Sequence, residues 1–366
     1  MRRLDKRHAM SASHNFVYTA NPARVIFGTG TLALLSAELE RLGVTRPIFV
    51  GTRRQEAMLR DLAADVTGPA AQVFAGAVMH TPVAVTETAM ALVAQGGVDG
   101  IVALGGGSTI GLGKAIALRT DLPQLVLPTT YAGSEMTPIL GETQDGAKTT
   151  QSSAKILPEV VIYDVDLTIG LSPPQSATSG LNAMAHAVEA LYARDHNPIT
   201  EMMAIEGIRA LADALPRIAM APSDREARSD ALYGAWLCGS CLGAVGMALH
   251  HKLCHVLGGS LNLPHAETHA VVLPHALAYN AAAAPEAMSS LDKVFAGDPV
   301  MALVELAKKL GAPTALRDIG MPYEGIEIAT RAALANPYWN PQPLEEDKLR
   351  TLIARAWAGD PPARMT

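Results

Sequence analysis

The first half of the chain alternates short runs that are apolar at every position with longer stretches that are apolar at every third or fourth. RVIFGTG (24–30), RPIFVG (46–51), GIVALGGG (100–107), QLVLPTT (124–130) and EVVIYDVDL (159–167) read as strands. Their unbroken apolarity suits a parallel sheet covered on both faces rather than one with a wet side. Between them, TLALLSAELERLG (31–43), QEAMLRDLAADV (55–66) and VAVTETAMALVAQ (83–95) carry helical spacing. The first of these predicts a helix capped by Thr31 and closed by Gly43. Strand–helix alternation predicts a Rossmann-like α/β layer with a mostly parallel sheet.

After Asp166 the pattern changes. Ser172-Pro173-Pro174 breaks the chain, and the remainder is rich in Ala, Leu and Met at helical spacing with little strand signal. The expected division is a tail at 1–14, an α/β domain at 15–167 and an all-α domain at 168–366. The basic opening MRRLDKRHAM is followed by no apolar run, so it does not read as a secretory signal. No stretch is long and apolar enough to predict a membrane span.

Composition narrows the function classes. With 49% hydrophobic and 17% charged residues, a large core is affordable and disorder is excluded. Aromatics at 4% and a net charge of −6 argue against nucleic acid as a partner. The cysteines Cys238, Cys241 and Cys254 are too few for a disulfide framework and fit a reducing, cytoplasmic setting.

Two loops follow predicted strands. Gly105-Gly106-Gly107-Ser108 leads into a helix, where bare backbone and free N–H groups would suit a diphosphate. The spacing is neither the usual dinucleotide fingerprint nor a nucleotide-triphosphatase loop, since Lys114 is followed by Ala115. A tight strand-to-helix turn explains the same residues. Pro128 to Pro138 then offers the hydroxyls of Thr129, Thr130 and Ser134 at a neighbouring strand end, where open parallel sheets bind ligands.

Six of the eleven histidines fall between His250 and His275. Asn182 and His186 are four apart, as are His251 and His255, so each pair shares a helix face. His265 follows after Gly258-Gly259 and Pro264. Such a set suits proton transfer or a first-row metal, although Asn182 brings no charge to offset a divalent ion. Cys238-Gly-Ser-Cys241 lies in an Ala- and Gly-rich helical stretch and reads as packing rather than a redox pair. From the residues alone, Lys114 and Lys148 read as ordinary solvated lysines.

These motifs carry a resemblance. GGGS at 105–108, TTYAGSEMTPILGETQDGAKTTQ at 129–151, LPEVVIYDVDL at 157–167, SATSGLNAMAHAVEALYA at 176–193 and HKLCHVLGGSLNLPHAETHAVVLPHALAYN at 251–280 are similar to the iron-containing alcohol dehydrogenase family. Within it they resemble most the branch that reduces maleylacetate. The resemblance covers nearly the whole chain and implies the two-part architecture shared with dehydroquinate synthase. It implies that Gly105, Gly106, Gly107 and Ser108 hold the diphosphate of NADH or NADPH, that Thr129, Thr130 and Ser134 line the nicotinamide side, and that Lys148 sits near its ribose. The family's metal ligands fall on Asn182, His186, His251 and His265, and His255 falls beside the nicotinamide. The family's metal-binding Asp is Asn182 here, and the resembled branch dispenses with an obligatory metal, so none is expected; an acidic residue of the family's glycine helix is Gly111 here, which implies a differently shaped nucleotide pocket. Gly51-Thr52-Arg53 carries no acid after the second strand, leaving room for a 2′-phosphate.

The resemblance further implies NAD(P)H-dependent reduction of a carbon–carbon double bond in a small dicarboxylate, maleylacetate or a substituted form. It places the reaction in aromatic-compound degradation, within a homodimer. His186, His251, His255 and His265 are the expected catalytic residues. The competing expectations are a metal-dependent alcohol dehydrogenase or aldehyde reductase of the same family, a lyase or cyclase related to dehydroquinate synthase, and a non-catalytic nucleotide binder.

Overall fold

The computed structural model describes residues 16–21, 23–67, 72–144 and 147–365, apart from the side chains of residues 67, 147 and 148. The tail expected at 1–14 lies outside them. The strands are β1 (Arg24–Gly28), β2 (Pro47–Val50), β3 (Gln72–Phe74), β4 (Gly100–Gly105), β5 (Gln124–Pro128), β6 (Ile139–Gln144), β7 (Ala147–Ser152) and β8 (Val160–Asp164). Six of them form one parallel sheet in the order β1-β8-β5-β4-β2-β3, and β6 pairs antiparallel with β7 apart from it.

Side-chain alternation explains the unbroken apolar runs. Val102, Leu104, Leu125, Leu127 and Ile162 face a core with Leu35, Leu39 and Leu59 of α1 (Leu35–Leu42) and α2 (Glu56–Thr67). Ile101, Ala103 and Val126 face the opposite core with α3 (Val83–Gly96) and α4 (Gly107–Thr120). Both faces are therefore dry.

Chain order reverses between β2 and β4, and a ligand crevice belongs at such a switch. Gly105 pairs with Pro128 in the β4–β5 register, so the glycine turn and the threonine loop leave the sheet side by side.

Among the described residues no strand follows β8. The rest is helical: α5 (Pro173–Ala190), α6 (Pro198–Met220), α7 (Arg225–Ala244), α8 (Leu249–Leu261), α9 (His265–Asn280), α10 (Pro285–Phe295), α11 (Pro299–Lys309), α12 (Gly325–Ala335) and α13 (Glu346–Ala358). Val161 and Tyr163 of β8 belong to the same core as Leu181, Met184 and Val188 of α5 and Ala231 and Ala235 of α7. The two parts thus share a core rather than meeting across a polar seam. Buried Arg228 ties them further, donating to Ser176 Oγ at 2.7 Å, the Leu171 carbonyl at 2.7 Å and Tyr131 Oη at 3.2 Å. No single helix among the described residues is long and apolar enough to cross a membrane.

Three local expectations change. The helix at 31–43 opens as a 3-10 turn, Thr31–Leu34, and Thr31 is not its cap. The Asp164 carboxylate, brought beside β1 by β8, accepts from Gly30 N–H at 3.1 Å and Leu32 N–H at 2.7 Å, while Thr31 Oγ1 turns back to the Gly28 carbonyl. Gly43 does close α1, at φ +71°. The β6–β7 hairpin carries little apolar signal because only Leu140 enters a core, against Ala115 and Ile156.

Lys114 is the third. It is fully buried, not solvated, in a helix that is apolar all round at that point. Its ammonium donates to the carbonyls of Ser134 at 2.6 Å, Thr137 at 2.7 Å and Ile139 at 2.9 Å, and to Thr137 Oγ1 at 2.9 Å. Burial pushes its pKa down to about 7, with the nearby Glu135 resisting. Those bonds fix the segment that leads from the threonine loop into the hairpin.

Candidate active site

The glycine turn opens toward solvent at its tip. Gly106 caps α4 without a side-chain hydrogen bond, and a Cβ built on Gly107 would meet nothing within 4 Å. The tip of the turn, at the start of α4, is therefore open to an approaching anion. Gly105 stands at φ +156°, and a Cβ on Gly106 would lie 2.8 Å from the Thr130 side chain, so the backbones of turn and threonine loop are in near contact. Thr129 N–H donates to the Gly105 carbonyl at 3.1 Å, and Thr129 Oγ1 accepts from Gln55 at 3.4 Å. Ser108, Thr129, Thr130 and Ser134 are all half-buried at this edge. The open tip gives a sharp expectation. Gly107→Asp should fold with an unchanged melting temperature, yet raise the KM for reduced cofactor at least tenfold. A cofactor KM within twofold of the parent would separate this turn from diphosphate binding.

On the helical side, α5, α8 and α9 supply the imidazoles. The threonine loop reaches them through a glycine contact: a Cβ on Gly133 would lie 2.9 Å from Gly239 Cα, and one on Gly239 would lie 2.7 Å from the Gly133 carbonyl oxygen. This explains CGSC, in which Gly239 admits the loop while Cys238 and Cys241 are buried, unpaired packing residues. Burial pushes the Cys241 thiol up to about 12, which excludes a reactive thiolate.

The loop delivers the Ala132 carbonyl to His186 Nε2 at 3.2 Å. A carbonyl only accepts, so Nε2 carries the hydrogen. Burial and the neighbouring imidazoles hold the His186 pKa well below the usual range, so the ring is neutral and its bare Nδ1 accepts from His251 Nε2–H at 2.8 Å. His251 Nδ1 then lies 2.7 Å from Glu189 Oε2, which also accepts from Ala248 N–H at 2.9 Å. One proton must lie between that nitrogen and that oxygen. Glu189 Oε1 accepts from His250 N–H at 2.7 Å. The result is an ordered chain, Glu189–His251–His186–Ala132, running from the helical core to the strand-end loop.

His255 and His265 are the half-buried members of the set, whereas His186 and His251 are buried. His255 Nδ1 lies 2.9 Å from the Tyr338 hydroxyl, and its ring centroid is 6.2 Å from that of His251. His265 packs against His269 with ring centroids 4.3 Å apart and planes tilted by 57°. The four expected catalytic histidines and Asn182 are therefore brought together. Lys148 lies in β7, and its side chain falls outside the described residues. Sequence reasoning missed Glu189, Tyr338, Lys114 and the second buried pair, His250 and His269. Glu189 was within reach of it, three residues after His186 on the same face of α5. Tyr338 was not, because it arrives from a distant irregular segment.

Residues 22–165 match the profile described as iron-containing alcohol dehydrogenase, and residues 176–357 match that of the Fe-containing alcohol dehydrogenase family, C-terminal. The chain belongs to the iron-containing alcohol dehydrogenase family. It is accordingly an oxidoreductase. It is 55% identical over 347 residues to maleylacetate reductase of Rhizobium sp. (strain MTP-10005), covering 95% of this chain and 99% of that protein. The crystal structure of maleylacetate reductase from Agrobacterium tumefaciens superposes with a TM-score of 0.92 at 54% identity, covering 96% of this chain and all of that one (100%). An iron-containing alcohol dehydrogenase from Corynebacterium glutamicum superposes with a TM-score of 0.91 at 41% identity, covering 97% and 100% of the two chains.

The family's name raises the question of a metal at Asn182, His186, His251 and His265. Asn182 Oδ1 is buried without a hydrogen-bond partner, as a ligand atom would be. The rest of the arrangement does not fit a divalent ion. Both nitrogens of His186 are engaged, by Ala132 and His251, and His251 is spent on His186 and Glu189. The donor set itself carries no negative charge.

Proposed function

We propose that this member of the family reduces the carbon–carbon double bond of maleylacetate, or of a substituted form, to give 3-oxoadipate, with NADH or NADPH as reductant. The observation that carries the reading is the Glu189–His251–His186–Ala132 chain: it sets a braced imidazole array against the strand-end loop. Maleylacetate reductases at 50–55% identity along nearly the whole chain support it.

When bound, the reduced nicotinamide supplies the hydride. The open glycine turn would hold its diphosphate on the uncapped N-terminus of α4. The alkene is conjugated to a ketone, so hydride at the carbon β to that ketone moves charge onto the ketone oxygen. The residues then have two tasks: to stabilise that enolate and to deliver one proton to the carbon next to the ketone. Hydrogen bonds are most effective where charge develops, in a site that excludes water. In our reading His251 and His186, engaged on both sides, keep the array in register, and the half-buried His255 and His265 contact the substrate. Tyr338 Oη, donating to His255 Nδ1, would leave the hydrogen on Nε2 and so fix that ring as a donor. His251 thereby supports the array rather than touching the substrate. The array's donors also suit a dicarboxylate.

Conjugation already activates the alkene, which lessens the need for a metal. The expected setting is a cytoplasmic homodimer in aromatic-compound degradation. Chelator-stripped protein should oxidise reduced cofactor with maleylacetate at a rate at least a hundredfold above that with a simple aldehyde. Activity that disappears on stripping and returns only with iron or zinc would instead favour the metal-dependent aldehyde reductase.

A further inference from the structure

We infer that His250, Cys254 and His269 form a binding site for a borderline-soft divalent cation, zinc above all, separate from the His186–His251 pair. His250 and Cys254 are four apart on α8 and share a face, and His269 meets them from α9. All three are buried, at 0%, 2% and 0% exposure, and none is used in the proposed reaction. His250 Nε2 lies 2.9 Å from His269 Nδ1 and 3.7 Å from Cys254 Sγ, and one ligand atom from each residue falls within 4.8 Å of the others.

Zinc bonds of about 2.0–2.1 Å to nitrogen and about 2.3 Å to sulfur space tetrahedral ligand atoms by roughly 3.3–3.6 Å. The observed separations bracket that range, so side-chain shifts of a few tenths of an ångström to about 1 Å admit the ion. The donor chemistry differs from that of the Asn182 set in the respect that matters. Cys254 gives up its proton to solvent on binding and becomes a thiolate, which supplies the charge that Asn182 lacks. Three protein ligands leave the fourth corner to a water molecule.

Packing alone accounts poorly for the trio. His250 and His269 are both fully buried and spend one hydrogen bond on each other. Two imidazoles so placed in a core are costly where aliphatic residues would fit, and such groups call for an explanation.

The test uses tag-free, chelator-stripped protein titrated with cobalt(II) chloride, a spectroscopic stand-in for zinc. The expected result is a sulfur-to-cobalt charge-transfer absorption in the near ultraviolet that saturates at one ion per chain. Cys254→Ser should lose it, and His186→Asn, which disables the other histidine set, should keep it. Absence of that absorption at one equivalent, or its survival in Cys254→Ser, overturns the inference. X-ray absorption at the zinc edge on the parent protein decides independently of any variant: one sulfur and at least two imidazole nitrogens are expected, and a shell of nitrogen and oxygen alone refutes the site. None of these readouts depends on turnover, so failure here leaves the proposed reaction standing, and the converse holds too.

Discussion

Glu189→Gln is expected to lower kcat by a factor on the order of 10²–10⁴, the range for loss of a positioned proton-transfer array. The KM for reduced cofactor should stay within about threefold, because the glycine turn takes no part in the chain that Glu189 anchors. The carboxylate is fully buried and accepts from Ala248 N–H, His250 N–H and His251 Nδ1. An amide keeps one acceptor oxygen and turns a donor toward groups that are themselves donors. In its best orientation it still leaves His250 N–H facing an NH₂ group, at a cost of about 1–3 kcal/mol. It also exchanges the carboxylate that faces His251 Nδ1 for an amide, which disturbs the hydrogen bond from that ring to His186. Glu189→Ala should cost more, about 1–3 kcal/mol for each of the three groups it leaves without an acceptor. Steady-state kinetics with cofactor and substrate varied separately, together with urea unfolding, read both effects. A Glu189→Gln enzyme with parental kcat would show that the chain is structural only.

Stability should fall steeply as pH drops below about 6.5. Burial, aided by neighbouring imidazoles, holds His186, His250 and His269 well below the usual histidine pKa, and burial with Arg355 nearby lowers His275 to about 4. These are bases whose pKa is lower folded than unfolded. Between roughly pH 6.5 and 4 the unfolded chain binds protons that the folded chain does not, so stability rises with pH across that window and is lost on acidification. Each such proton contributes at most about 1.4 kcal/mol per pH unit, and four together at most about 5.6 kcal/mol per pH unit once the unfolded rings are fully protonated. That is comparable to the whole stability of an ordinary domain, so unfolding is expected about one to three pH units below neutrality. Urea titrations at half-unit steps should return that slope, and His275→Leu should reduce it by about one proton. A stability that stays flat between pH 6.5 and 5 would mean that the rings are not neutral in the fold.

The sheet was legible because a parallel strand buried on both faces leaves an unambiguous mark. GIVALG and QLVLP are apolar at every position, and alternate residues do enter opposite cores. The β6–β7 hairpin was not legible, since among the described side chains of ILGETQ and AKTTQS only Leu140 joins an apolar core, and the approach to the hairpin depends on Lys114 beneath. Lys114 itself misleads because residue type says solvent, while its neighbours in GLGKAIAL say core. Here the neighbours decide, because four oxygens from one loop converge on the ammonium. The histidines could be gathered by helical spacing within α5 and within α8. Which of them face inward could not, because that depends on how α5, α8 and α9 cross. His250 and His251 are adjacent in sequence, yet one pairs with His269 and the other with Glu189 and His186. Tyr338 is the extreme case: it meets His255 from 83 positions further along the chain, in a segment with no periodicity.

The central claim is that this array directs hydride to an alkene carbon and not to a carbonyl. Chelator-stripped enzyme can be given maleylacetate and cofactor carrying deuterium at the transferable position, and the product examined by NMR and mass spectrometry. The account predicts 3-oxoadipate with its ketone intact and a single deuterium on the carbon β to that ketone. A hydroxy acid with deuterium on its carbinol carbon would contradict it.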